Sequence, residues 1–327
     1  MIDFGGAQPV WPVKTRELWG CCAAEAARAH EPWRRQPPQG DDMLRAELGR
    51  ELRLEPDHLT IVAGVRAAAL TYGRTAARLL VERPTFMGMM PMLESAGRPV
   101  HHVGWDDLPA PQTGTTLIVT SPCRNPDGAT LSPRLHAAME RRCDAGERVV
   151  INSTYQWFGP GTPPVRGADL LLSLHKLAGV GARIGVVHSS TFFADAVPEI
   201  ASAAPPPTWQ RAWALFLARG GLAELKAANV VPAQKAAAAF HASLCELTGS
   251  PRVRVQAPHT LLTLTADVTE QAALAALAAR GYRLAGGSHF LAGESLRVSF
   301  YGVSPEQASE LASTLVADKL LDLKGGS

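Results

Sequence analysis

The sequence lacks the features that mark membrane, secreted or nucleic-acid-binding proteins. Its 327 residues include 32 basic and 30 acidic ones, and a formal charge of +2 gives no electrostatic reason to expect binding to nucleic acid or membranes. No apolar run approaches the length that crosses a bilayer. The N-terminal segment 1–6 does not open a basic region followed by an apolar one, so no signal peptide is expected. The sequence therefore predicts a soluble, cytoplasmic protein.

Cysteine and aromatic residues are also scarce. The five cysteines form no CxxC pair, follow no metal-ligand spacing and are odd in number, so we expect reduced thiols without disulfides or a metal site. Aromatic residues make up 6% of the chain, whereas hydrophobic residues of all kinds make up 46%, which is typical of a globular protein. The length permits one large domain or two.

From residue 41 onward, helical and strand-like patterns alternate. Helices are expected at 42–52, 64–80, 84–97, 133–145, 209–247 with breaks near 220 and at 232, 268–280 and from 305. Strands are expected at 59–62, 99–103, 115–120, 148–151, 168–172, 183–188, 252–256, 260–265 and 295–300. This alternation predicts an α/β fold with a doubly wound, mostly parallel sheet.

The pattern changes near residue 205, after which a smaller α+β unit is expected. We predict a large domain at 41–225, a small C-terminal domain at 226–327, and an N-terminal segment, 1–40, that packs on the domains.

One segment, 173–185, carries the strongest sign of chemistry. It places Lys176 just after an apolar, strand-like run and before a glycine-rich loop that contains Arg183. Sites in open α/β sheets lie at such strand ends. A lysine that condenses with an aldehyde must lose its proton, which desolvation and a nearby cation favour. A surface lysine in a flexible loop is the alternative that this segment alone leaves open.

Two further strand ends carry polar side chains. The turn 120–128 contains Asn125 in an Asn-Pro-Asp-Gly sequence, and the strand that ends near residue 151 leads into Asn152 and Tyr155. In both segments the polar residues could serve only to form a turn.

Three more segments are candidates for ligand contacts. Gly64, Val65 and Arg66 lie where a strand gives way to a helix, and the N–H groups of such a turn can cradle a phosphate. Phe86 follows a proline and could equally be a core residue. Arg297 lies in an apolar, alternating strand, where a buried guanidinium needs a partner such as a carboxylate, unless it faces water from an edge strand.

Together and in this order, these motifs resemble the fold-type I pyridoxal-phosphate (PLP) enzymes of the aminotransferase class I/II family. The resemblance runs from about residue 2 to residue 320, and the turn 120–128 is similar to that of alliinase-like members. The wider pattern is also similar to histidinol-phosphate aminotransferase-like members. The resemblance implies the cofactor pyridoxal 5'-phosphate and Lys176 as the residue that forms the Schiff base and then acts as the general base.

The resemblance also implies which residues hold the cofactor. Five residues would surround its phosphate: Gly64, Val65, Arg66, Ser173 and Arg183. Phe86 would stack on the cofactor ring, and Asn125 and Tyr155 would bond its phenolic oxygen. Asn152 stands where relatives carry an aspartate that pairs with the ring nitrogen. An amide supplies no charge there, so we expect weaker electron withdrawal by the ring.

The substrate side of the site follows from the same resemblance. Arg297 would bind the carboxylate of an amino acid, and the segment around Gly6 would close over the substrate. A homodimer is implied, although the tyrosine that relatives place before the helix at 42–52 is missing. Transamination in amino-acid biosynthesis is the leading interpretation. Because of Asn152, a PLP-dependent lyase, cyclase or decarboxylase stays open, as does a non-catalytic protein that binds PLP or an amino acid.

Overall fold

The computed structural model describes residues 1–6, 8–29, 37–159, 163–189, 204–249 and 257–322. Its strands are β1 (Ile2–Asp3), β2 (Leu59–Val62), β3 (Arg78–Glu82), β4 (Val100–Val103), β5 (Thr115–Thr120), β6 (Arg148–Asn152), β7 (Asp169–Ser173), β8 (Gly185–His188), β9 (His259–Thr263), β10 (Tyr282–Arg283), β11 (Ala285–Gly286) and β12 (Ser295–Ser299).

The α-helices of the same residues vary from one turn to 28 residues in length. They are α1 (Val13–Ala29), α2 (Asp42–Leu52), α3 (Val65–Thr75), α4 (Met90–Glu94), α5 (Pro133–Asp144), α6 (His175–Ala178), α7 (Pro207–Ala218), α8 (Gly221–Thr248), α9 (Glu270–Ala279) and α10 (Pro305–Ala317). None of these helices combines the length and the apolar character that crossing a membrane requires.

The central sheet has seven strands in the order β2-β8-β7-β6-β5-β3-β4. Strands β4, β3, β5, β6 and β7 pair in parallel, whereas β8 runs antiparallel to both of its neighbours. Several of these strands are buried along most of their length, as expected of strands with both faces covered. The prediction of a mostly parallel α/β sheet is therefore confirmed.

Helices cover the two faces of this sheet. Side chains of a strand alternate between its faces, so Val150 of β6 packs in one apolar cluster with α3 and α4, while its neighbours Val149 and Ile151 pack in another with α5. A third cluster lies between the sheet and helices α1, α2, α7 and the first half of α8.

The C-terminal part has its own sheet and core. Strands β11, β12 and β9 form an antiparallel sheet, and their apolar side chains pack with α9, α10 and the second half of α8. Strand β1 pairs in parallel with β10, which brings the first residues of the chain to this core.

Several helices begin where the sequence offers a side-chain cap. Asp41 accepts a hydrogen bond from the N–H of Leu44, and Ser132 does the same at α5. Ser304 and Gln307 form a reciprocal capping box at α10.

Four sequence-based expectations were wrong in detail. The run 78–82 is strand β3, not the end of a helix, because burial in the sheet overrides the helix propensity of its leucines. Residues 84–86 precede a single 3-10 turn and the short α4, instead of opening a long helix. Helix α1 was not anticipated. Helix α8 continues through Pro232 without a break. The strand expected at 252–256 lies outside the described residues.

Candidate active site

The carboxyl ends of the central strands meet at one edge of the sheet. Thr120 of β5 pairs with Asn152 of β6, and Asn152 pairs with Leu171 of β7. At the same edge, Gly185 of the antiparallel β8 pairs with Val62 of β2. The segments that follow β2, β5, β6 and β7, and the loop that precedes β8, therefore converge here, as strand ends do at sites in α/β sheets.

Lys176 stands at the centre of this edge. It lies in the single turn α6, directly after β7, and its side chain is partly exposed. Its Nζ is 5.2 Å from the ring centre of Tyr155 and 5.9 Å from that of Phe86. The hydroxyl of Tyr301 donates to the carbonyl oxygen of Lys176 and so anchors the backbone of this turn. The amine thus lies near two aromatic rings.

Arg297 lies close enough to Tyr155 for the two side chains to interact electrostatically. The residue is 7% exposed, and its Nη1 donates to the carbonyl oxygen of Gly5 at 2.8 Å. Its Nε is buried and has no hydrogen-bond partner among the described residues. A Cβ on Gly6 would lie 3.5 Å from Nη1. The structure therefore brings Gly6, Arg297 and Tyr155 together, with one guanidinium donor unused.

The turn after β2 is an open helix N-terminus. Gly64 has φ +93°, no side chain caps α3, and nothing lies within 4 Å of the place where a Cβ on Gly64 would be. The first N–H groups of an α-helix have no partner within the helix, so the start of α3, at Val65, presents donors to a small anion. Gly185 packs directly on this turn, since its own Cβ would lie 2.7 Å from Cα of Gly64.

Cations surround this turn. Arg183 is exposed, adopts left-handed backbone angles just before β8, and lines with Ala63 an open cavity of about 460 Å³. Arg66 is exposed on α3 and close enough to His175 to act on its charge. Burial, and then Lys176 and Arg66, lower the pKa of His175 to about 4. Ser173 is buried, and its hydroxyl contacts the N–H of His175 at 3.1 Å.

Asn125 lies in a turn that several hydrogen bonds hold. Arg124 donates its N–H to the carbonyl oxygen of Ala129 at 2.7 Å, and His259 Nε2 lies 2.9 Å from the carbonyl oxygen of Arg124. The ring of His259 also meets that of Tyr155 edge-on, with centres 4.8 Å apart. The Oδ1 of Asn125 is buried and has no hydrogen-bond partner among the described residues. A buried amide without a partner is expected where a ligand completes the bonding.

Asn152 is the last of the candidate residues. It is the last residue of β6 and 9% exposed, and its Oδ1 accepts from the side-chain hydroxyl of Thr154 at 2.6 Å. Every candidate residue named from the sequence thus lies at, or next to, the segments that meet at this edge of the sheet. Their roles toward a ligand stay predictions.

Three residues of the site were not found by sequence reasoning. His259 begins β9, and Thr154 follows Asn152 in the turn between β6 and β7; both are common residue types in such places. Glu82 ends β3, is 1% exposed, and accepts from Trp105 Nε1 at 2.9 Å. Burial raises the pKa of Glu82 to about 7. For Glu82, the one available signal in the sequence was a charged residue at the end of an apolar run.

Comparisons with known proteins identify the family. The model of the aminotransferase class I and II family matches residues 22–315. The chain belongs to this family, and its cofactor is pyridoxal phosphate. None of the curated proteins compared with the sequence matches it. In the described part of the chain, no group of histidine, cysteine, aspartate and glutamate residues could hold a metal ion.

Solved structures share the fold at low sequence identity. An aminotransferase from Mycobacterium tuberculosis is 20% identical with a TM-score of 0.81, over 98% of this chain and 91% of that one. A single mutant of Thermus thermophilus aspartate aminotransferase is 20% identical with a TM-score of 0.79, over 98% and 92%. An α-aminoadipate aminotransferase from Thermus thermophilus, complexed with N-(5'-phosphopyridoxyl)-L-leucine, is 18% identical with a TM-score of 0.77, over 97% and 92%.

The residues present fit the cofactor. The uncapped start of α3, with Arg66 and Arg183 nearby, suits a phosphate. The Nδ2 of the buried Asn125 can donate to a phenolic oxygen, and the Lys176 amine suits an aldehyde. These three chemical groups are those of pyridoxal phosphate.

Proposed function

We propose that this protein is an aminotransferase that acts on an amino acid and carries its cofactor on Lys176. One observation carries the proposal: the Lys176 amine lies 5.2 Å from the ring centre of Tyr155, and the buried Arg297 is close enough to the same Tyr155 for the two side chains to interact electrostatically. A nucleophilic amine and a cation that can bind a carboxylate thus both lie near one aromatic ring. An α-amino acid suits such a site, because its amine and its carboxylate are joined through one carbon.

Pyridoxal phosphate, when bound, supplies an aldehyde for the substrate amine and a ring that withdraws electrons from the α carbon. Lys176 then takes the proton from the α carbon and returns it at a different atom, which is general acid–base work. Tyr155 and the exposed Phe86 lie near this amine.

Arg297 orients the substrate. Its Nη1 is occupied by Gly5, but its Nε is a buried donor without a described partner. A substrate carboxylate offers the acceptor that this donor lacks, and the guanidinium fork favours a two-point contact. Gly6 leaves room beside Nη1, so the N-terminal segment can cover the substrate.

Phosphate binding is proposed for the other end of the site. The N–H groups at Gly64, Val65 and Arg66 face the anion, and the Arg66 and Arg183 side chains balance its charge. Ser173 supports this loop through its contact with the N–H of His175 and can bond the phosphate from there.

A second candidate function is a PLP-dependent lyase, cyclase or decarboxylase. The observation that favours it is Asn152, because an amide cannot hold a positive charge on the cofactor ring as a carboxylate does. Reactions that need less electron withdrawal by the ring would then be favoured over transamination.

We also propose how the chain divides into domains, that it forms a dimer and where it is located. A division near residue 226 would fall inside α8, whose first half packs with the central sheet and whose second half packs with the C-terminal core. The open cavity beside Arg183 and Ala63, next to the phosphate turn, supports a homodimer in which a partner subunit covers this face. Free cysteines fit the reducing cytoplasm, and a biosynthetic role remains part of the proposal.

The test uses one amino acid at a time and no second substrate. An aminotransferase converts its cofactor to the amine form and releases one equivalent of oxo acid, after which the reaction stops. A lyase or decarboxylase instead turns over repeatedly and releases ammonia or carbon dioxide. Binding without any product, across all the amino acids, would contradict both candidates and leave a binding protein.

A further inference from the structure

The carboxamide of Asn152 is held in one orientation. Its Oδ1 accepts from the backbone N–H of Thr154 at 3.3 Å and from the Thr154 hydroxyl at 2.6 Å. Both residues are buried, at 9% and 7% exposure. Because both contacts come from one neighbouring residue, the Asn152 amide is fixed locally and does not depend on distant packing.

The backbone N–H determines which amide atom faces Thr154. A backbone N–H can only donate, so turning the amide over would set two donors against each other. The oxygen of Asn152 is therefore committed to Thr154. The amide nitrogen donates to no other residue in the described part of the chain.

We propose that Thr154 is a positioning residue that turns the Asn152 N–H toward the cofactor ring, so that this protein holds the ring nitrogen as a neutral acceptor. The inference rests on the proposed function, which places the ring over the carboxyl end of β6. An N–H donor needs a lone pair opposite it. An unprotonated ring nitrogen has this lone pair, and a protonated one does not.

Charge near the site also favours an unprotonated ring nitrogen. Arg297 lies near this edge of the sheet, and a nearby cation disfavours adding a proton to the ring. Glu82, a buried carboxyl at the end of β3, accepts a hydrogen bond at Oε2 from Trp105. A neutral ring withdraws fewer electrons from the substrate, so α-proton removal is slower than over a protonated ring.

Nuclear magnetic resonance tests the charge of the ring directly. The protein would be loaded with pyridoxal phosphate carrying 15N in the ring, without substrate. We expect the 15N shift of a neutral pyridine in the wild-type protein and a move toward the pyridinium shift in Asn152→Asp. A pyridinium shift in the wild-type protein would overturn the inference.

A cofactor analogue tests the part played by Thr154. In the 1-deaza analogue of pyridoxal phosphate a C–H group replaces the ring nitrogen, so the hydrogen bond to Asn152 is lost. We expect the wild-type protein to bind pyridoxal phosphate about 2- to 10-fold more tightly than this analogue, as one neutral hydrogen bond allows. Thr154→Val keeps the backbone contact at 3.3 Å but loses the hydroxyl contact at 2.6 Å, so it should shrink this ratio part of the way toward one. Thr154→Ser, which keeps the hydroxyl, should preserve it. An unchanged ratio in Thr154→Val, with the fold intact by circular dichroism, would show that the Thr154 hydroxyl does not position the amide and would overturn its proposed role.

The two proposals fail in different ways. If borohydride links the cofactor to Lys176 but the ring nitrogen is protonated, the proposed function stands and this inference is wrong. If the cofactor attaches elsewhere, the proposed function fails first and this inference falls with it.

Discussion

Nε2 of His259 lies 2.9 Å from the carbonyl oxygen of Arg124, although 135 positions separate the two residues in the chain. A carbonyl oxygen only accepts, so the imidazole donates from Nε2. Because Asn125 follows Arg124, this bond ties the turn of the proposed cofactor ligand to the start of β9. The C-terminal sheet thereby braces the edge of the central sheet where the site lies.

Replacing His259 tests this brace. His259→Ala leaves a buried carbonyl without its donor, so we expect the free energy of unfolding to fall by about 1–3 kcal/mol. Affinity for pyridoxal phosphate should fall as well, because Asn125 loses its support. His259→Gln, whose amide can donate in the same place, should recover part of both. His101→Ala, at an exposed position on β4, is the control. Equal effects of the alanine and glutamine variants would rule out the hydrogen bond as the cause.

Glu82 should make stability depend on pH. Burial raises its pKa from the usual 4.5 to about 7, so the folded protein keeps the proton that the unfolded chain releases at lower pH. The stabilising effect of the neutral acid is fully present below about pH 4.5 and is lost as the pH rises to 7, by about 3 kcal/mol at most. Denaturant titrations at pH 5 and pH 8 should show a smaller difference in Glu82→Gln than in the wild type. Parallel pH profiles for the two proteins would contradict this.

The contact between Gly185 and Gly64 should tolerate no side chain. A methyl group at position 185 would meet the backbone of Gly64 at 2.7 Å, so Gly185→Ala must push β8 away from the turn that opens α3. We expect a loss of about 1–3 kcal/mol in stability and weaker binding of pyridoxal phosphate. Gly181→Ala is the matched control, since nothing lies within 4 Å of its added methyl group. The idea fails if both variants bind the cofactor equally well.

A buried ion pair outside the site provides a test of the fold alone. Nη2 of Arg142 donates to Oε1 of Glu147 at 3.1 Å, and both residues are buried. Glu147→Ala leaves an unpaired buried cation and should cost about 3–5 kcal/mol, measured by chemical denaturation. The pair between Arg166 and Asp144 is exposed, so Asp144→Ala should change stability little. A small effect of Glu147→Ala would mean that water reaches Arg142.

The sequence predicted those parts of the molecule that depend on local pattern. Apolar runs such as Thr115–Thr120 located the strands, and polar residues just beyond them, such as Lys176 and Asn152, located the edge where the site lies. Arg297 was found because a charge in an apolar strand needs a partner. Family membership and the cofactor followed from the same residues and are confirmed.

The features that the sequence did not predict depend on contacts between distant segments or on the orientation of a single side chain. No periodicity shows that His259 reaches Arg124, or that Tyr301 reaches the carbonyl oxygen of Lys176. The first residues of strand β3 were mistaken for the end of a helix, because burial in the sheet outweighs the local propensity of these residues.

Borohydride reduction followed by peptide mapping tests the central claim most directly. The purified protein would be mixed with pyridoxal phosphate, its visible absorbance recorded, the cofactor linkage reduced, and the modified lysine identified by mass spectrometry. We predict an absorbance band that reduction removes, with the cofactor on Lys176. Lys176→Ala should lose the band, while Lys226→Ala, which breaks only a surface ion pair with Glu51, should keep it. A band that persists in Lys176→Ala, or a label on another lysine, would contradict the account.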